Sequence, residues 1–446
     1  MSKTIIIIGA GLAGLSAALQ AAENGCNVKL VSSLPSERAQ SVMAEGGINA
    51  ALNTKDENDS PEEHFTDTIK AACGLADPNA VWGMTQAAPE LVHWLLKLGV
   101  KFNMSGYDDV DLRNFGGQKK KRTAFAQSDT GKQIMTAMID AVRRKEASGM
   151  VERFSHHSFL TLRLCGNICC GCVIRDEYSQ ETVELPGDAV IVATGGMHGL
   201  FGNTTGSLSN TGEVTAELFR LGVPLANGEM IQYHPTTVKC GGKRMLISEA
   251  ARGEGGRLFA MKDGKQWYFM EEKYPELGNL MPRDITAREI WKVSHESEVF
   301  LDMTEISDEI ISNKLSGLAD DCMTYLHKDI RKEPVPVLPG IHYFMGGILV
   351  DEQHRTSIQN LYAAGECCAQ YHGANRLGGN SLLGALYGGR VAAKSACEQA
   401  DVVDLSCATQ IDFPPASQIS EIKQLNKVMQ ETMGVVRNEN TLLNGI

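Results

Sequence analysis

Basic, acidic and imidazole side chains recur in short clusters through the second half of this 446-residue chain. Gln232-Tyr233-His234-Pro235-Thr236 supplies an imidazole, and Ser248-Glu249-Ala250-Ala251-Arg252-Gly253-Glu254-Gly255-Gly256 sets a carboxylate three residues before a guanidinium. Pro282-Arg283-Asp284 adds a second arginine. His342-Tyr343-Phe344-Met345-Gly346-Gly347 adds a second histidine, and Gly373-Ala374-Asn375-Arg376-Leu377-Gly378-Gly379-Asn380-Ser381 a third arginine. A local cluster of arginines leaves room for a small anionic substrate, since an arginine fork binds a carboxylate through paired hydrogen bonds. Each cluster alone has a plainer reading. A lone histidine is usually a satisfied structural group, Arg283 beside Asp284 could be a structural ion pair, and Glu249 with Arg252 could be a surface pair worth about 0.2–0.5 kcal/mol.

Groups of this kind need a frame, and the N-terminus announces one. Thr4 to Ile8 is a β-branched run, as in a buried parallel strand. Gly9-Ala10-Gly11-Leu12-Ala13-Gly14 follows, then a helix pattern stopped by Gly25, then a second strand from Asn27 to Val31. A GxGxxG in that context is strong evidence for a dinucleotide site: the glycines allow a tight turn and bring a pyrophosphate to the free amides at a helix start. The acid expected at the end of the second strand is replaced by Ser32-Ser33, which counts against NAD and leaves FAD open. Ala189–Ala193 and Ser357–Ala364 read as further strands, ending in Thr194-Gly195-Gly196 and Gly365-Glu366 on the same rim. The nucleotide domain is therefore read as discontinuous, residues 1–227 plus 344–400. Residues 228–343 form an insertion and 401–446 a tail with one helix around residues 417–433. Pro334 to Pro339 reads as a stiff re-entry linker.

The length predicts two or three packed units, and 43% hydrophobic with 22% charged residues fits a soluble globular protein. A net charge of -12 argues against a nucleic-acid binder. The 12 cysteines lack a disulfide-framework spacing, which points to a reducing, cytoplasmic compartment. Cys169 and Cys172 form a CxxC, but they fall in a hairpin from Thr161 to Asp176 turning at Gly166-Asn167, where cysteine serves as a small apolar residue; no metal is expected. The apolar N-terminus mimics a signal peptide, yet glycine spacing accounts for it better, and no transmembrane segment is expected.

Five motifs stand in order: NFGGQKKKRTAFAQSDTG (114–131), MIQYHPT (230–236), SEAARGEGG (248–256), HYFMGG (342–347) and HGANRLGGNSL (372–382). In that order the chain resembles, from its first strand to about Ala400, the flavoprotein subunit of fumarate reductase and succinate dehydrogenase, within the L-aspartate oxidase superfamily. The resemblance implies an α/β fold: a Rossmann-like FAD-binding domain, an inserted α+β capping domain, and a short C-terminal helical tail. It implies FAD across Gly9, Gly11 and Gly14, with Ser32 at a family serine position and Ser41, Gly46 and Gly47 beside the isoalloxazine. Glu213, where the family usually has aspartate, and Glu366 fall at FAD-contacting positions. The amides of Ser381 and Leu382 would meet the pyrimidine edge.

By the same resemblance His342 and Arg376 clamp one substrate carboxylate, and His234 and Ser248 hold the other. Arg283 matches the catalytic arginine, and Glu249 with Arg252 the relay that re-protonates it; a free guanidinium is too weak an acid to do this unaided. The implied reaction interconverts fumarate and succinate, with hydride passing between substrate and flavin N5. Several positions depart from the pattern. Gln40 replaces the histidine that bonds covalently to FAD, so FAD is expected to be non-covalent and the balance to favour alkene reduction. Thr237, Ala250 and Phe344 replace glycine, glycine and threonine near the substrate. The family continues past the position of Ile446 with further helices. With no haem-binding CxxCH and no fused FMN domain in the chain, a separate electron-transfer partner is expected, an iron–sulfur subunit in the family, and any contact with the inner face of the membrane would run through a partner. Rival readings are L-aspartate oxidase, a reductase of another enoate, and a non-catalytic flavin subunit. L-aspartate oxidase carries glutamate where Phe115 stands, retention of His234 and Ser248 favours a second carboxylate, and Arg283, Glu249 and Arg252 speak against a non-catalytic role.

Overall fold

A computed structural model describes residues 2–106, 109–401 and 419–443. Its central sheet is parallel, in the order Leu361–Ala363, Ala189–Val192, Thr4–Ile8, Asn27–Ser32, Val151–Ser155. Both faces are covered, which is why Ile5 to Ile8 are all apolar and buried. Ile5 and Ile7 pack into a helical layer containing Leu12–Glu23, Thr130–Ala147 and Asn380–Gln399, whereas Ile6 and Ile8 face an antiparallel layer that includes Leu162, Cys169 and Cys172. Because the strands are parallel and in register, their C-terminal ends bring Gly9, Ser32, Thr194 and Gly365 to one rim, where open α/β sheets bind ligands.

The hairpin turns at Gly166-Asn167, between strands His157–Cys165 and Ile168–Asp176. Cys169 and Cys172 are fully buried in its apolar layer, and burial pushes the Cys169 thiol up to about 12. Cys165 is disulfide-bonded, and the other cysteines among the described residues are free thiols.

The stretch from Ile231 to Phe344, which ends one residue past the expected boundary at 343, supplies two further sheets. One holds Lys243–Leu246, Ile231–Cys240 and Leu338–Phe344; the other holds Lys265–Trp267, Arg257–Lys262, Val299–Asp302 and Val335–Pro336. The proline cluster is therefore strand, not linker. Val335–Pro336 and Leu338–Phe344 are both edge strands, where proline's missing N–H costs no ladder bond. The strand expected over Ser357–Ala364 shortens to Leu361–Ala363, since Asn360 takes a left-handed turn at φ 63° just before it. The described part of the tail holds a helix from Ile419 to Thr432, whose Met429 packs with Phe201 and Tyr233.

Candidate active site

One cavity begins at the glycine turn and ends among the basic clusters. Gly9, Gly11, Ser32, Ser41, Gly46, Gly47, Glu213, Glu366, Ser381 and Leu382 line it toward the sheet, and Phe115, His234, Ser248, Glu249, Arg283, His342 and Arg376 line it toward the capping stretch. Gly14 and Arg252 do not line it. Gly14 serves packing: a Cβ there would lie 1.8 Å from the Gly9 carbonyl oxygen. Gly11 differs, because a Cβ there would meet no protein atom closer than the Ser41 hydroxyl at 3.6 Å, so its bareness keeps the cavity open. Neither Leu12–Glu23 nor Asn380–Gln399 is capped by its own N-cap residue, Gly11 and Gly379 having no side chain, although the Ser41 hydroxyl accepts the Leu12 N–H at 3.2 Å. Both helix starts thus offer amides and the positive dipole end to an anionic or electron-rich group. The buried Ser32 hydroxyl has no partner in the protein. A bare glycine, open helix starts and an orphaned hydroxyl on one wall fit a bound dinucleotide.

Strand register and short helices set the other end. His234 and His342 come from the neighbouring strands Ile231–Cys240 and Leu338–Phe344, and their rings meet edge to face, 5.1 Å apart. Ser248 caps the short helix Glu249–Gly253, accepting from the Ala250 N–H at 3.4 Å. Arg283 opens the helix Arg283–Val293 and donates to Glu249 Oε2 from Nε at 2.8 Å and Nη2 at 2.6 Å. Arg252, behind the wall, donates to Glu249 Oε1 at 3.1 Å. The Gly116 N–H donates to the same oxygen at 3.1 Å, and a Cβ on Gly116 would lie 2.6 Å from it. The Phe115-Gly116-Gly117 stretch is thus a close cover over Glu249. Asp284 pairs with Arg288, so the adjacent-residue ion pair is excluded.

Gln232 holds a position that sequence reasoning gave no role. Its Oε1 accepts from Arg283 Nη1 at 3.0 Å and Arg376 Nη2 at 2.9 Å, while its Nε2 donates to Asn375 Oδ1 and the Arg376 carbonyl. Its place in MIQYHPT was the only signal. Tyr343, whose ring lies 4.4 Å from the Arg376 guanidinium carbon, and Glu45, on the cavity wall before Gly46, were also passed over.

Burial works against every charge here. It raises a carboxyl, yet Arg283 and Arg252 overcome that and hold Glu249 below the usual range. Burial, reinforced by neighbouring cationic side chains, keeps His234 and His342 well below 6.5, hence neutral. Burial and the Arg283 charge lower Arg376 to about 9. Arg376 has no carboxylate partner among the described residues, and its buried Nε makes no hydrogen bond.

A family model described as FAD binding domain matches residues 4–382. Over 413 residues the chain is 44% identical to the succinate dehydrogenase flavoprotein subunit of Bacillus subtilis, covering 91% of this chain and 70% of that protein. It belongs to the fumarate reductase and succinate dehydrogenase flavoprotein family. As such it is an FAD-dependent oxidoreductase, as the motifs implied. The L-aspartate oxidase of Streptomyces coelicolor is 33% identical over 464 residues, 99% of this chain and 78% of that protein. A mutant of the E. coli quinol fumarate reductase FrdA superposes with TM-score 0.90 at 28% identity, covering 100% of this chain and 81% of that one. The fold of this flavoprotein matches that neighbour. No helix among its described residues is long and apolar enough to cross a membrane.

Proposed function

We propose that this flavoprotein reduces fumarate, or a closely similar unsaturated dicarboxylate, to its saturated form. The observation that carries the reading is Arg376: a buried guanidinium on the cavity wall, with no carboxylate partner among the described residues. The linked charged groups are Arg252, Arg283, Arg376 and Glu249; three positive and one negative leave +2, with both histidines neutral. A dicarboxylate brings the matching charge.

Arg376 and His342 would bind one carboxylate, and His234 and Ser248 the other. FAD bound along the glycine wall would, once reduced by its electron donor, supply the electron pair as hydride. Arg283 would hold the proton at its guanidinium for the substrate carbon, and Glu249, bonded to both Arg283 and Arg252, would return it. Phe115 is apolar and offers nothing to an ammonium group, which favours this reading over aspartate oxidation. Gln40 lines the cavity where family members carry the linking histidine, so FAD is held without a covalent bond and alkene reduction is favoured over succinate oxidation. Relatives are named as subunits, and a separate electron-transfer protein, an iron–sulfur subunit by analogy, is the proposed source of electrons.

The test is fumarate-dependent oxidation of reduced viologen by FAD-loaded protein. Turnover is expected, and Arg283→Ala should lower it roughly 10²–10⁴-fold with flavin retained. Flavin-loaded protein inert to fumarate but reduced by aspartate would move the assignment to the oxidase. Acid precipitation should leave the yellow colour in the supernatant; colour on the pellet would refute the non-covalent reading.

A further inference from the structure

His342 can hold a carboxylate only as a donor, and a neutral imidazole has one donor nitrogen and one acceptor. Which is which depends on the other side of the ring. There the Thr205 hydroxyl lies 2.8 Å from Nδ1. A hydroxyl gives one hydrogen, so its direction decides the tautomer. The competing acceptor is the Ile341 carbonyl, 3.4 Å from Thr205 Oγ1. That oxygen already accepts the Thr205 N–H at 2.9 Å and has the Thr204 hydroxyl at 3.0 Å, a group that also lies 2.8 Å from His198 Nδ1. Distance decides between the two acceptors of the Thr205 hydrogen: 2.8 Å to Nδ1 against 3.4 Å to Ile341, the latter at the limit of a hydrogen bond. The Thr205 hydrogen therefore goes to Nδ1.

We propose that Thr205 is a positioning residue that fixes His342 in its Nε2–H tautomer, so that the imidazole donates into the cavity to a substrate carboxylate. The inference rests on the dicarboxylate reading above and adds a cause for it. Thr205 is buried and does not line the cavity, so it acts through His342 alone. In the opposite tautomer Nε2 would turn a lone pair toward the carboxylate, and the Thr205 hydroxyl would keep only the long contact to Ile341. The bridge between Thr204 and Ile341 keeps this loop in register with the strand that carries His342.

Thr205→Val keeps the shape and removes the hydroxyl, whereas Thr205→Ser keeps the hydroxyl. The probe is malonate, a dicarboxylate whose single methylene leaves no CH–CH bond to dehydrogenate, titrated into FAD-loaded protein and followed by the flavin difference spectrum. The valine variant should bind malonate roughly ten- to a hundred-fold more weakly. Its fumarate KM should rise in step while kcat changes less, with flavin content and Tm unchanged. The serine variant should stay within about threefold of the parent, by the same hydrogen-bond reasoning. In a His342→Gln background, where the amide supplies its own N–H, the valine substitution should lose most of its effect. A valine variant that binds malonate as tightly as the parent overturns the tautomer assignment and leaves the dicarboxylate reading standing. So does a serine variant as weak as the valine one. A parent protein that binds neither malonate nor fumarate overturns the dicarboxylate reading, and this inference with it.

Discussion

At the glycine end of the cavity the groups that face a ligand are largely main chain: the turn at Gly9 and Gly11 and the helix starts at Leu12 and Asn380, whose N-cap residues are glycines. At the arginine end they are long side chains, each held by another: Arg283 by Glu249, Glu249 by Arg252 and Gly116, Arg376 by Gln232. The first end works because side chains are missing, and its geometry is set by packing. The second works because side chains are tethered, and its geometry is set by hydrogen bonds. The two ends should therefore fail differently when altered.

The sharpest contrast is between two glycines three residues apart. Gly14→Ala forces a Cβ to 1.8 Å from a carbonyl oxygen, so the turn must move. Overpacking of this kind costs about 1–3 kcal/mol or more, and the purified variant should carry little or no flavin. Gly11→Ala meets protein only at 3.6 Å, so it should fold with an unchanged Tm and bind FAD more weakly. Equal flavin content in the two variants would break the distinction. At the other end, Glu249→Gln leaves two buried guanidiniums without their anion. Loss of one partner from a buried pair costs about 3–5 kcal/mol, so Tm should fall while flavin remains bound. An unchanged Tm would mean that the arginines had found another anion. The smallest effect concerns Glu45, which sits on the wall near the junction of the two ends. Burial first, then the Asp321 charge, raises its carboxyl from 4.5 to about 8. A raised acid contributes most below its unfolded value and loses that contribution as pH climbs through the folded one. In flavin-free protein, Glu45→Gln should gain on the parent steadily between about pH 4.5 and pH 8, read as the difference in Tm. Parallel curves would show Glu45 already ionised.

How much of this was legible beforehand follows the same division. A main-chain site demands glycine at fixed spacing between a strand and a helix, and Gly9, Gly11 and Gly14 stated that outright. The identities of His234, Arg283, His342 and Arg376 were visible only through the family motifs, because their positions span Ile231–Cys240 to the loop before Asn380 and no local period links them. Gln232 and Thr205 were not singled out, since an amide and a hydroxyl declare no charge and their value lies in which neighbours they meet. The proline run misled because proline at a sheet edge and proline in a linker look alike until the sheet order is known. Arg252 was named correctly as a partner of Glu249, but its place behind the wall needed coordinates.

The Gln232 carboxamide belongs to a strand of the capping stretch, while Asn375 and Arg376 precede the helix Asn380–Gln399 of the sheet domain. Its three bonds across that boundary, at 2.7, 2.8 and 2.9 Å, behave as a latch. Were the two stretches to part by even a water's width, those bonds would be exchanged for bonds to solvent and the Arg376 guanidinium would be hydrated. Under the proposed function, release of product through such an opening would also wet the site, and the next substrate would have to displace that water before it could be held.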